Sequence, residues 1–208
     1  MQVLKEAGLV YLANPKTAGR SLRRMLAPHA IGVAFGSVAR HVPAQTYDRQ
    51  WRPLIREELG FDPETFAVMR EPRAQMESWY RYLRRDMTDG KPRSTLGSSF
   101  AEFVEARLTK PAPPQARIGR QDLFLGFGRR GRPVTHVFDY ARLDLLLRFL
   151  EDRLGVPLTL PVINVSPALP PGSLELPAAL EARYRQVHRA EFALYERVAQ
   201  AGVLVTRG

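Results

Sequence analysis

The sequence predicts an α/β protein built as one domain over residues 1–208, with a central parallel sheet covered by helices on both faces. Short apolar runs alternate with stretches of helical period. The runs "LVYLA" (residues 9–13) and "FAVM" (66–69) are apolar throughout instead of alternating, as expected of strands buried on both faces. A third observation is bulk: 208 residues, 45% of them hydrophobic, suffice for one real core, and no repeat or composition break divides the chain.

The elements follow in order. Residues 9–13 read as a central strand. Gly19 to Leu26 shows helical spacing, with Leu22, Met25 and Leu26 on one face, and Pro28 ends it. Ala30 to Ala39 is small and apolar and fits either a strand or a loop. His41-Val42-Pro43-Ala44 begins a turn-to-helix transition, and residues 50–59 read as a short helix. Phe66 to Met69 is the second buried strand. Pro72 suits a first helical turn, which predicts a helix to about Arg85. Asp86 to Ser99 reads as a polar loop, Phe100 to Leu108 as a helix, and Lys110 to Arg117 as a proline-rich loop. Val134 to Phe138 is a strand and Tyr140 to Leu154 a strongly periodic helix. Leu160 to Ser173 is irregular, Leu176 to Ala201 is one long helix, and "VLVT" (203–206) closes the sheet or pairs at its edge.

The formal charge is +10, from bases scattered along the chain, so an anionic partner is expected: a phosphorylated cofactor, an acidic glycan, nucleic acid or a membrane surface. Cysteine is absent, which excludes disulfides, thiol nucleophiles and thiolate metal sites and fits a reducing compartment. No apolar run approaches the roughly 20 residues that span a bilayer, and the first residues lack a signal-peptide layout. The expectation is a cytoplasmic protein without a membrane span.

The junction "NPKTAGRS" joins a strand to a helix. The first helical N–H groups lack intrahelical partners, so an oxyanion can rest on the backbone of Thr17 to Ser21. Gly19 permits close approach and unusual dihedrals. Thr17 and Ser21 add hydroxyls and Lys16 a mobile charge. The physics is that of a nucleotide P-loop, but the lysine precedes the single glycine, so G-x-x-x-x-G-K-[ST] is not matched. An ordinary capped turn is the competing reading. The second strand repeats the plan: Arg70 stands at its end, and Ser78 follows after seven residues, two helical turns along. Together they can hold a second phosphate; alternatively Arg70 pairs with Glu71 or Asp62 and Ser78 is incidental.

"YLANPKTAGRSLRRML" and "FAVMREPRAQMESWYRYL" together resemble the two nucleotide-binding segments of sulfotransferases that use 3′-phosphoadenosine 5′-phosphosulfate (PAPS), most of all the carbohydrate-type branch. That branch reads I-P-K-T-[AG]-G-T-S in its loop, and R-[DE]-P followed by a serine and an aromatic in its second segment. "HVFDYARLDLLLRFLEDRLGV", "LPVINVSP" and "RYRQVHRAEFALYERV" are similar more weakly, so the resemblance covers most of the chain while only the two loops are specific. Arg20 departs from the usual threonine. The resemblance implies a P-loop-like three-layer fold. It places Lys16, Thr17, Ala18, Gly19, Arg20 and Ser21 around the 5′-phosphosulfate and Arg70 and Ser78 on the 3′-phosphate. It implies sulfuryl transfer to an acceptor hydroxyl on a carbohydrate or other small molecule, with 3′,5′-adenosine bisphosphate as product and no metal.

The acceptor hydroxyl needs a base. His41, between the two segments, resembles the family position where a histidine precedes a helix, and its ordinary pKa suits the task. His29 is the reserve, His136 belongs to a strand and the core, and His188 is expected to be exposed. A glutamate from the middle loops is the other option. Arg84, Arg85, Lys91 and Arg93 either face an anionic acceptor or form a solvated face. Trp79, Tyr80 and Tyr82 are spaced for a half-buried helix, where core packing is expected ahead of sugar stacking. The rival functions are a P-loop kinase, which needs a lysine after its last loop glycine and a Mg²⁺ carboxylate, and a basic nucleic-acid-binding protein, for which no recognition motif is present.

Overall fold

The computed structural model describes residues 1–31, 40–85, 90–128, 131–163 and 169–206. Five strands form one sheet in simple chain order: β1 (Gln2–Leu4), β2 (Leu9–Tyr11), β3 (Glu64–Met69), β4 (His136–Asp139) and β5 (Val203–Val205). The central three run parallel, with Tyr11 opposite Phe66 and Phe66 opposite His136. The edges do not: β1 is antiparallel to β2, and β5 to β4. The central parallel sheet expected from the sequence is present in the three middle strands, and antiparallel edge strands make the whole sheet mixed. The cause at one edge is the tight turn Lys5–Gly8, closed by a 3.0 Å bond from Gly8 N to Lys5 O, since a connection so short can join only antiparallel strands. At the other edge, "VLVT" pairs beside β4.

The helices are α1 (Gly19–Leu26), α2 (Ala44–Thr46), α3 (Arg52–Leu59), α4 (Pro72–Leu83), α5 (Phe100–Leu108), α6 (Gln121–Phe124), α7 (Leu143–Leu154), α8 (Ala178–Val187) and α9 (Arg189–Ala201). A π turn at Tyr47–Trp51 connects α2 to α3. Both faces of the sheet are covered. Val10, Leu12, Ala67, Met69 and Val137 pack against Tyr47, Ile55 and the α9 residues Leu194 and Val198. On the other face Leu9, Tyr11, Phe66, Val68 and Phe138 pack against Leu22 and Leu26 of α1 and Leu146 and Leu150 of α7. Burial from two sides explains why the central strands read as unbroken apolar runs. A third cluster joins α4, α5, α8 and α9 without any strand residue, around Tyr80, Phe100, Phe103 and Tyr184.

Two expectations are corrected. The long helix over 176–201 is broken at His188, which leaves helical geometry between α8 and α9. His188 is not exposed: it is 4% accessible, its Nδ1 3.3 Å from Oε2 of the equally buried Glu191. The break turns both polar groups inward, which a charge-rich helical pattern does not announce. Within the expected loop after α4, residues 90–99 are tied to that helix, because Arg84 donates to Tyr80 Oη, Thr95 O and Ser98 O. Residues 32–39, 86–89 and 164–168, the last holding the Asn-x-Ser stretch, lie outside the described residues. Among those described, no helix is long and apolar enough to cross a membrane.

Candidate functional site

The carboxyl ends of the parallel strands β2, β3 and β4 lie at one end of the sheet, beyond which parallel α/β sheets bind their ligands. A cleft of about 630 Å³ opens there.

The loop after β2 forms its floor. Thr17 is fully buried, and its hydroxyl donates 2.8 Å to Asn14 O, so its side chain fastens the loop and does not line the cleft. What Thr17 can offer an anion is its backbone N–H. Lys16 and Ala18 have φ of 67° and 58°, whereas Thr17 and Gly19 have negative φ. Alternation of this kind curls successive N–H groups around one hollow, the backbone nest that holds oxyanions. The unusual dihedrals expected of Gly19 thus fall on its neighbours. Gly19 itself is the first residue of α1 in ordinary conformation, and a Cβ there would meet Tyr11 Oη at a relaxed 3.7 Å. Ala18 caps the helix without a side-chain bond, and no acid stands in the first turn. Ser21 Oγ accepts from Ile163 N at 3.3 Å, which keeps its own proton available to the cleft.

Arg70 emerges from β3 beside this loop. Its guanidinium stacks on Tyr140, 4.6 Å from the ring centre, and its Nε is buried with no hydrogen-bond partner among the described residues. The acids proposed as its partners are engaged elsewhere. Asp62 receives Arg52 at 2.8 Å and Arg132 at 3.2 Å, while Glu71 caps α4 by accepting from Ala74 N at 2.6 Å. Ser78, 8% exposed, faces the same cleft. With Arg81, Tyr82 and Arg85 it forms an i, i+3, i+4, i+7 stripe down one side of α4 and its end.

Lys16, Arg20, Arg23, Arg40, Arg70, Arg81 and Arg85 all line the cleft, and among its described residues there is no aspartate or glutamate. The Lys16 ammonium lies 4.2 Å from the Tyr82 ring centre and 5.7 Å from that of Trp79. Burial, and then Arg85, Arg70, Arg20 and Arg81, push its pKa down to about 8. His41 also lines the cleft. Its Nδ1 lies 2.7 Å from Ala13 O, an acceptor only, so Nδ1 carries the proton and Nε2 is left as the basic nitrogen. Burial holds its pKa below the ordinary 6.5, with Arg23, the amino terminus and Arg40 adding to the effect against the Ala13 bond.

The cleft therefore gathers Lys16, Ala18, Gly19, Arg20, Ser21, His41, Arg70 and Ser78, and leaves Thr17 beneath its surface. His29 does not line it. His136 is in the sheet, bonded to Glu64 at 3.1 Å, as its strand position predicts. Tyr80 packs inside, against Phe100 and Phe103, and Trp79 and Tyr82 are half-buried against the same core cluster while also lining the cleft. The α4 stripe was the available signal. Tyr140 and Gln121 carried none. No family model, curated protein or solved structure matches the chain.

Proposed function

We propose that the protein is a sulfotransferase that uses PAPS, with a P-loop-like nucleotide site in this cleft. One observation carries the reading: two anion-binding strand exits, the Lys16 loop and the Arg70–Ser78 pair, open into one cleft with seven cations and no described carboxylate. PAPS carries phosphate and sulfate groups at two separated positions, which is the charge pattern such a cleft complements. The buried Nε of Arg70, unpartnered among the described residues, supports the fit, since an unsatisfied buried donor costs about 1–3 kcal/mol unless a ligand completes it.

When bound, the donor supplies a sulfuryl group on a phosphate leaving group. The residues of the chain do the rest. The nest from Lys16 to Gly19 and the Ser21 hydroxyl hold the 5′ end, and Arg70, planar against Tyr140, holds the 3′-phosphate together with Ser78. Lys16 stabilises charge that grows on the leaving oxygen as the S–O bond breaks, an interaction stronger in the transition state than before it. His41 Nε2 takes the acceptor's proton as the acceptor oxygen bonds to sulfur.

The acceptor is itself anionic on this reading. The cations that act on Lys16 are Arg85, Arg70, Arg20 and Arg81, whereas those that act on His41 are Arg23 and Arg40 with the amino terminus. The second group is placed to hold a carboxylate, sulfate or phosphate near the reacting hydroxyl, as on an acidic glycan. A kinase is disfavoured because Mg²⁺ is bound through carboxylates and none of the described cleft residues carries one.

The decisive test is transfer of labelled sulfate from PAPS to neutral and acidic sugars, beside labelled ATP with Mg²⁺. Sulfate transfer is expected. Phosphate transfer from ATP with none from PAPS would defeat the reading. Tight, steeply salt-dependent DNA or RNA binding unaffected by adenosine 3′,5′-bisphosphate would replace it with a nucleic-acid function.

A further inference from the structure

Gln121 opens α6, distant in sequence from both cofactor segments, and is 1% exposed. Its side-chain amide makes three hydrogen bonds between them. Oε1 accepts from Asn14 Nδ2 at 2.9 Å and from Arg70 N at 3.0 Å. Nε2 donates to Arg70 O at 2.8 Å. The Gln121 backbone N–H donates 2.7 Å to Glu191 Oε1, so buried α9 anchors the amide from behind. Asn14 Nδ2 also reaches Val68 O at 2.9 Å. The β2–β3 ladder extends to the bond from Leu12 N to Phe66 O at 2.9 Å. Past that point these side-chain amides join the two exits.

We infer that Gln121 is a positioning residue that sets the spacing between the Lys16 loop and Arg70 and so couples the two anion sites. The inference rests on the donor reading above. A ligand with two anionic groups gains from its second contact only if both sites stand at the right separation; otherwise that contact adds little. A ligand with one anionic group does not depend on the separation. Gln121 satisfies both the N–H and the C=O of Arg70 while holding Asn14, so it fixes the Arg70 peptide relative to the loop that begins one residue after Asn14. A merely structural amide would affect every ligand alike through stability.

The test is calorimetric affinity for adenosine 3′,5′-bisphosphate, adenosine 5′-monophosphate and adenosine 3′-monophosphate. The wild-type protein is expected to bind the bisphosphate about 100-fold more tightly than either monophosphate, the gain typical of linked sites. Gln121→Met keeps length and volume but removes all three side-chain bonds. It should cut that preference about ten-fold or more while both monophosphates stay within about three-fold of wild type, because only the linkage is lost. Val137→Ala, a core change away from the cleft, should keep the full preference. Should Gln121→Met not fold, Gln121→Glu, which keeps an oxygen for Asn14 and Arg70 N but loses the donor to Arg70 O, is measured in the same way and should also lose preference. An unchanged preference in the Gln121 variant, or equal weakening of all three nucleotides, overturns the inference. A wild-type protein that does not distinguish the bisphosphate from the monophosphates overturns the donor reading itself, and this inference with it.

Discussion

Lys16 and His41 are both tuned downward, first by burial and then by separate sets of neighbouring cations, and that fixes the expected pH behaviour. On the proposed function His41 is a base only when neutral, so kcat/KM should fall as pH drops through its pKa, below 6.5. Lys16 acts only when charged, so kcat/KM should fall again as pH rises through about 8. The profile of the free enzyme is a bell between those limits. A bound anionic donor favours the charged ammonium, so the basic limb of kcat should lie at higher pH than that of kcat/KM. A pH–rate series in both parameters checks this; coincident basic limbs would remove Lys16 from donor contact. Lys16→Ala should lower kcat by about 10²–10³ with a smaller loss of bisphosphate affinity. His41→Ala should stop transfer while leaving that affinity near normal, and persistent turnover would assign the base elsewhere.

At the scale of elements, the loop after β2 places two non-glycine residues in left-handed conformation, each disfavoured by about 1–2 kcal/mol. Ala18→Gly removes that cost at one position and adds about 0.5–1 kcal/mol of unfolded-chain entropy. Thermal unfolding should therefore show an unchanged or slightly raised Tm. A clear fall would mean that the Ala18 methyl has a packing role. The turn after α6 is the opposite case. A Cβ on Gly126, whose φ is 88°, would stand 2.9 Å from Pro133 Cα and 3.1 Å from Ala44 Cβ. Gly126→Ala should cost about 2–4 kcal/mol from overpacking and dihedral strain together. Gly128, with φ of 75° but no atom within 4 Å of the added methyl, should lose only the dihedral part. Denaturant unfolding of the two variants separates the contributions.

For the whole molecule, seven of the 31 lysines and arginines gather in the one cleft without a described acid, within a chain of net charge +10. A multiply charged anion that binds only the folded chain should stabilise it. Adenosine 3′,5′-bisphosphate at a hundred times its Kd should add about 2.7 kcal/mol and raise Tm by roughly 5–10 °C in a chain of this size. The gain should shrink as salt screens the cleft. Adenosine 5′-monophosphate at the same concentration should do less. An equal shift from both nucleotides would show that Arg70 and Ser78 do not form a second phosphate site.

Local pattern determined a good deal by itself. Unbroken apolar runs marked the central strands because burial on both faces removes alternation, and the meeting of Lys16, Arg70 and Ser78 in one cleft was legible because strand exits and helical turns have fixed geometry. Tertiary structure decided the rest, wherever a residue's role depends on what stands opposite it. The mixed sheet, the inward turn of His188, Tyr140 beneath Arg70 and the cleft-facing Trp79 and Tyr82 belong to this group. Gln121 is the clearest member. A glutamine between a proline-rich loop and a short helix carries no local signal, and only the folded chain brings its amide between Asn14 and Arg70, because hydrogen bonding across long sequence separation leaves no periodicity to read.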